Sequence, residues 1–195
     1  MVDGVIKFEP LWERQACIQD SWIQSLQQIR HELWSRGWIG VQDGIGYGNI
    51  SVRNGSGFLI SGSQTGHLEK LGVEHYSWVT DWSIPENRLQ CKGLAIASSE
   101  SMSHALLYDL SPVIGAVLHI HAKVLWNGWE NPTAVTNPLV PYGTPAMARE
   151  IIRVAENLDM HASGCLKMGG HVDGVLAWGR TPEDALDILA ALGVS

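Results

Sequence analysis

The chain of 195 residues is 45% hydrophobic and 17% charged, enough for one well-buried core, so a single domain spanning residues 1–195 is expected. Its formal net charge of −7 excludes a general binder of nucleic acid or acidic membranes, because phosphate groups are held by Lys and Arg and this chain carries an acidic excess. No run approaches the roughly 18 apolar residues of a membrane span, and the charged opening "MVDGVIKFEP" gives no export signal, which leaves a cytoplasmic protein with a small-molecule or protein partner.

The first strong pattern predicts a helix over 11–36. Trp22, Leu26, Ile29 and Leu33 recur on one face, and Gly37 is its stop. The period then changes to two. "NISVRNGSGFLIS" reads as a hairpin turning at Asn54-Gly55, and "YSWVTDW" and "RLQCKG" as strands flanking the turn "SIPEN". In "ASSESMSHALLYDL", Ser98 or Ser99 is expected to cap a helix running to about Leu110, with Glu100 in its first turn. "VLHIHAKVLW" follows as a strand. Two later helices carry a Thr cap with Pro at the first helical position, Thr144-Pro145 and Thr181-Pro182, and between them "GCLKMG" and "GVLAWG" read as strands. Hairpins interleaved with covering helices, and no GxGxxG or GxxxxGK[ST] string, favour an α/β sandwich on a largely antiparallel sheet over a doubly wound nucleotide-binding fold. Cys17, Cys91 and Cys165 are odd in number and form no CxxC pair, so they read as small buried side chains and not as a disulfide framework or a thiolate metal site.

His119 and His121 raise the chemical question. Alternate strand residues share a face, so two imidazoles stand side by side in an apolar strand and must be hydrogen-bonded, exposed or coordinated to something. A catalytic zinc needs a third protein ligand, and "MGGHVDGVLAWG" offers His171 and Asp173, two apart and on one face if the strand has begun there. Glu100 and His104 lie one turn apart on the same helix. Taken alone, each has an ordinary explanation, dipole complementation for the acid and local packing for the histidine. "GIGYGNIS", "LISGSQTG" and "SSE" offer backbone N–H groups, hydroxyls and a helix amino end suited to an anion.

In order, "GNIS", the "SSE" helix with His104 and Tyr108, "HIHA", "YGT" and "GVLAWGRTPEDAL" resemble the class II aldolase/adducin family over roughly residues 20–192, closest in kind to its fuculose-phosphate aldolases. The resemblance implies a three-layer α/β/α sandwich with a mixed, mostly antiparallel central sheet, and a homo-oligomer, with a tetramer favoured. It implies a metal-dependent lyase that cleaves or forms a carbon–carbon bond in a small sugar or hydroxy-ketone through a metal-stabilised enediolate. Dehydratase and epimerase chemistry on the same scaffold, or a non-catalytic adducin-like binding domain, are the alternatives. Carried over position by position, it makes His119 and His121 metal ligands, Glu100 the acid/base, and Asn49, Ser98 and Ser99 a phosphate cradle to which Gly48, Thr65 and Gly66 contribute. The metal it implies is zinc first, with manganese, iron or cobalt as alternatives.

The chain departs from the family pattern in three places. Where the family has His-Gly before the last strand, this chain reads "GHVDG", so His171 is expected as third ligand with Asp173 as the alternative. Gly46-Tyr47 replaces the usual Thr-Ser pair, and Tyr47 takes space that a phosphate would use, leaving substrate phosphorylation open. The lengthened "SGSQTGHL" loop adds His67, read as an exposed loop residue. Tyr142, Trp126, Trp129 and Trp178 read as packing or interface residues.

Overall fold

Strand alternation sorts the apolar side chains into two cores, one on each side of an eight-stranded sheet, in a computed structural model that describes residues 5–192. In chain order the strands are β1 (Glu9–Arg14), β2 (Gly40–Gln42), β3 (Ile45–Tyr47), β4 (Asn49–Asn54), β5 (Gly57–Ser61), β6 (Tyr76–Ser83), β7 (Arg88–Gly93), β8 (Ala116–His121), β9 (Gly164–Lys167) and β10 (Gly174–Gly179). The helices are α1 (Asp20–Ser35), α2 (Ser101–Leu110), α3 (Lys123–Asn127), α4 (Pro145–Ala155) and α5 (Pro182–Leu192). The main sheet runs β1-β7-β6-β5-β4-β8-β10-β9; β1 pairs with β7 in parallel and the other pairings are antiparallel. The β2–β3 hairpin stands apart as its own small sheet.

Val117, Leu176 and Trp178 face α2 and α4, whereas Leu118, Ile120, Val175 and Ala177 face α1 and α5, giving the expected three-layer α/β/α sandwich. Each fully buried Leu, Ile or Met in these layers stabilises the fold by about 1.5–3 kcal/mol relative to exposure. Helix ends form where the sequence places them. Thr144 Oγ1 accepts from Met147 N at 3.2 Å, and Thr181 and Asp184 exchange reciprocal side-chain-to-backbone bonds at 3.2 Å. Helix α1 closes with Gly37 N donating to Trp34 O and Trp38 N to Leu33 O.

The expected helix over 11–36 is shorter at its start. Residues 9–14 are instead an exposed edge strand, in register with β7 from Glu9↔Arg88 to Arg14↔Gly93, and the helix begins at Asp20. Ladder pairing gives this segment backbone partners that a helix projecting beyond the core would not improve on, and Pro10 is tolerated because the strand lies at an edge. Of the cysteines, Cys91 is buried, while Cys17 and Cys165 are only partly so, Cys165 packing from the edge strand β9 against the α1/α5-side core. Among the described residues no helix is long and apolar enough to cross a membrane.

Candidate active site

Strand β8 ends at His121 and pairs with β4 on one side and β10 on the other, so His119 lies between Asn49 and Leu176 in the sheet. Alternation turns His119 and His121 to the α2/α4 face, as expected. The third imidazole arrives differently. His171 N donates to Met168 O (3.1 Å) and Gly174 N to His171 O (2.9 Å), so residues 171–174 form a turn and β10 begins only at Gly174. The expectation that His171 and Asp173 share a strand face is therefore corrected. Gly170 packs so closely on Val140 that a Cβ would strike its carbonyl oxygen, and Asp173 has φ +63°, which ends the extended chain.

The turn brings His171 onto the pair. Ring centroids are 5.2 Å apart for His119 and His121, 4.9 Å for His119 and His171, and 4.6 Å for His121 and His171. One ligating nitrogen from each lies within 4.8 Å of the others, and Asp173 is outside this group. Tyr142, read from the sequence as packing, stacks on His171 at 4.0 Å with Lys7 Nζ 3.2 Å from its ring centroid.

His119 is only 1% exposed. Burial first, then the neighbouring His171, His121 and His104 rings, hold it well below the ordinary imidazole pKa. Its Nδ1–H donates to Val175 O at 3.3 Å, which leaves Nε2 as the lone-pair nitrogen. A neutral ring fixed by a backbone carbonyl is the state a metal ligand requires. Three clustered imidazoles without a carboxylate fit a divalent ion held by three protein ligands with one position open.

Two cavities meet here. The inner one, about 10 Å³, is lined by Gly48, Asn49, Thr65, Gly66, Ser98, Ser99, Glu100 and His119, so every residue expected in the anion cradle borders one small space together with the expected acid/base. Gly48 has φ +74°, and a Cβ there would lie 2.7 Å from Ile39 Cγ1, so the chain can enter β4 only with glycine. The outer cavity, about 420 Å³, is lined by His121, His171, Tyr142, Asp173 and the hairpin residues Gln42 and Asp43. Tyr47 borders both, its ring 5.0 Å from His121 and its hydroxyl donating to Gly37 O at 3.1 Å.

Glu100 occupies the N-cap position of α2 and not its first turn, and no side chain caps the helix, which corrects the expected Ser98 or Ser99 cap. Ser98 instead offers its carbonyl to Ser101 N (3.0 Å) and Ser101 Oγ (2.6 Å), a turn that seats the Glu100 carboxylate at the inner cavity, where Ser103 Oγ donates to Oε2 at 3.1 Å. His104 and Tyr108 each place a polar atom 2.7 Å from Ser51 Oγ beneath the site. Complete burial takes His104 down to about 3, so it stays neutral. His67 is exposed, its Nδ1–H donating to Gln64 O at 3.0 Å. Trp178 is fully buried, and Trp126 donates to Met168 O at 3.3 Å, behind the turn that carries His171.

The family profile described as Class II Aldolase and Adducin N-terminal domain matches residues 24–193. The chain belongs to this family. It is similar in fold to YgbL from Klebsiella pneumoniae (20% identity, 91% of this chain and 87% of that one, TM-score 0.65). It is likewise similar to an L-fuculose-1-phosphate aldolase from Thermus thermophilus (22%, 91% of each chain, 0.63) and a sugar-phosphate aldolase from Thermotoga maritima (15%, 88% and 90%, 0.64). A search of curated proteins found no match. Within this class II aldolase-family fold, the β2–β3 hairpin and Gln64 went unread in the sequence. The hairpin had a usable signal: Asp43-Gly44, at φ +52° and +80°, is a two-residue turn of the kind that joins antiparallel strands. Gln64 had none, because its role depends on Gly46 lying opposite it.

Proposed function

We propose that this chain is a metal-dependent, aldolase-type lyase acting on a small hydroxy-ketone, working in the cytoplasm as a homo-oligomer, with a tetramer favoured. The observation that carries this reading is the grouping of three imidazoles, His119, His121 and His171, within 4.8 Å of one another, with His119 bordering the same small cavity as the buried Glu100. A divalent cation held there, zinc first, supplies Lewis-acid polarisation of a carbonyl and its neighbouring hydroxyl.

The chain's own groups do the rest. Glu100, 1% exposed and oriented by Ser103 Oγ, takes the proton from the carbon beside the carbonyl in the bond-forming direction and returns it in the cleaving direction. The inner cavity beside Glu100 has room for about one water, so its walls keep bulk solvent from the carboxylate. An adducin-like binding role does not account for three imidazoles gathered beside a buried acid.

The test is metal-free and zinc-loaded protein incubated with dihydroxyacetone, or its phosphate, and glycolaldehyde, with products followed by NMR. Ketose is expected only with metal, and Glu100→Gln should keep the metal while losing at least about 100-fold in rate. Epimerised or dehydrated product instead would assign the sibling reactions, and silence from fully loaded protein would favour a binding domain.

A further inference from the structure

Resting on the aldolase-type reading of the site, we infer that the substrate is an unphosphorylated hydroxy-ketone and that Tyr47 and Gln64 exclude a phosphate ester. Space is the first reason. At about 10 Å³ the inner cavity admits one water, not the five heavy atoms of a phosphate group. The two side chains that close it are both held. Tyr47 is anchored by its tilted ring contact with His121 and its bond to Gly37 O. Gln64 sits at φ +64°, a conformation unusual outside glycine, with its Oε1 accepting from Gly46 N at 2.9 Å. Gly46 borders the inner cavity, and its amide is already taken by the loop's own side chain.

Charge is the second reason, and it is independent of the first. A phosphate monoester carries close to two negative charges at neutral pH, yet among the described residues neither cavity is lined by Lys or Arg, so only a bound metal and the neutral N–H and O–H groups of the cradle would face that charge. Asp43 and Asp173 border the outer cavity and Glu100 the inner one. The positive groups nearby are engaged elsewhere. Arg30 lies buried behind the loop, giving its donors to the backbone oxygens of Thr65, Gly66, Leu68 and Glu69. Lys7 donates to Tyr142 O from beside the Tyr142 ring.

An uncharged, hydroxyl-bearing substrate meets both conditions, with its chain in the roomy outer cavity.

The experiment is calorimetric titration of zinc-loaded protein with glycolohydroxamate and with its phosphate ester, phosphoglycolohydroxamate, two chelating mimics of a hydroxy-ketone that differ in the phosphate alone. At least ten-fold tighter binding of the unphosphorylated compound is expected. Gln64→Gly, which suits the left-handed backbone and frees Gly46 N, should strengthen the phosphate ester at least ten-fold while leaving its partner within two-fold. Equal or tighter binding of the phosphate ester by the native protein overturns the inference and leaves the aldolase-type reading standing. An unchanged ester affinity in Gln64→Gly removes Gln64 from the excluding set. If neither compound binds fully loaded protein, the lyase reading itself falls, and this inference with it.

Discussion

The walls of the two cavities on either side of Tyr47 are built from different material. Strands β4 and β8, the start of α2 and the loop over 64–66 make the inner wall, where His119 is fixed by the ladder, opposite Asn49 on one side and Leu176 on the other. The outer wall is made by turns, the β2–β3 hairpin and residues 169–173, where direction is set by left-handed residues and by backbone packed against backbone. Regular structure fixes the acid and the first imidazole rigidly, and turns bring in the third imidazole and the entrance. The contrast is one of support: His119 and Asn49 sit on sheet ladders and Glu100 at a helix start, whereas His171 and the hairpin residues at the outer cavity sit on turns.

The largest expected effect tests whether both walls serve one ion. His119→Ala, from the sheet, and His171→Ala, from the turn, should each lower zinc affinity by more than about 100-fold, since even the outer-shell partners of metal ligands are worth 10–100-fold. Competition with a chromophoric chelator measures this, with thermal melts checking that each variant is folded. Loss in His119→Ala alone would break the comparison, because the turn would then be an entrance wall and nothing more.

An intermediate effect probes the buried floor of the inner wall. His104 is held near 3 in the folded protein against about 6.5 when unfolded, so the unfolded chain binds the extra proton between those values and stability falls as pH drops through that window. The slope is about 1.4 kcal/mol per pH unit from this residue, or about 2 kcal/mol between pH 6.5 and 5.0. Urea denaturation of metal-free protein should show the decline, and His104→Gln should flatten it. An unchanged slope in the variant would place the acid sensitivity elsewhere.

The smallest expected effect sharpens the account of the outer wall. Asp173→Asn should change zinc affinity by less than about two-fold, because Asp173 borders the outer cavity but stands outside the histidine group. A ten-fold loss by the same competition assay would make the site two histidines and a carboxylate, and would favour manganese or iron over zinc.

How much of this was legible in the residues follows the same division. The period-two run from Val117 to His121 assigns faces to its side chains because the pleat is strictly alternating, and Thr-Pro pairs mark helix starts because their chemistry is local. His119 and His121 were singled out by residue type and spacing, Glu100 by its place in the "SSE" motif of the family that the chain resembles, and the ordered motifs pointed to the family and the three-layer fold. Local pattern in the chain was enough for the layers, the β4–β5 and β6–β7 strand pairs and the helices α2, α4 and α5. It took the folded chain to show that residues 9–14 form an edge strand, that His171 and not Asp173 reaches the other imidazoles, and that Gln64 joins Tyr47 in lining the inner cavity. Each of those outcomes depends on a partner distant in the chain, β7 for the strand, Val140 packed on Gly170 for the turn, Gly46 for Gln64 and Gly37 for Tyr47, and no local pattern of residues encodes a contact of that kind.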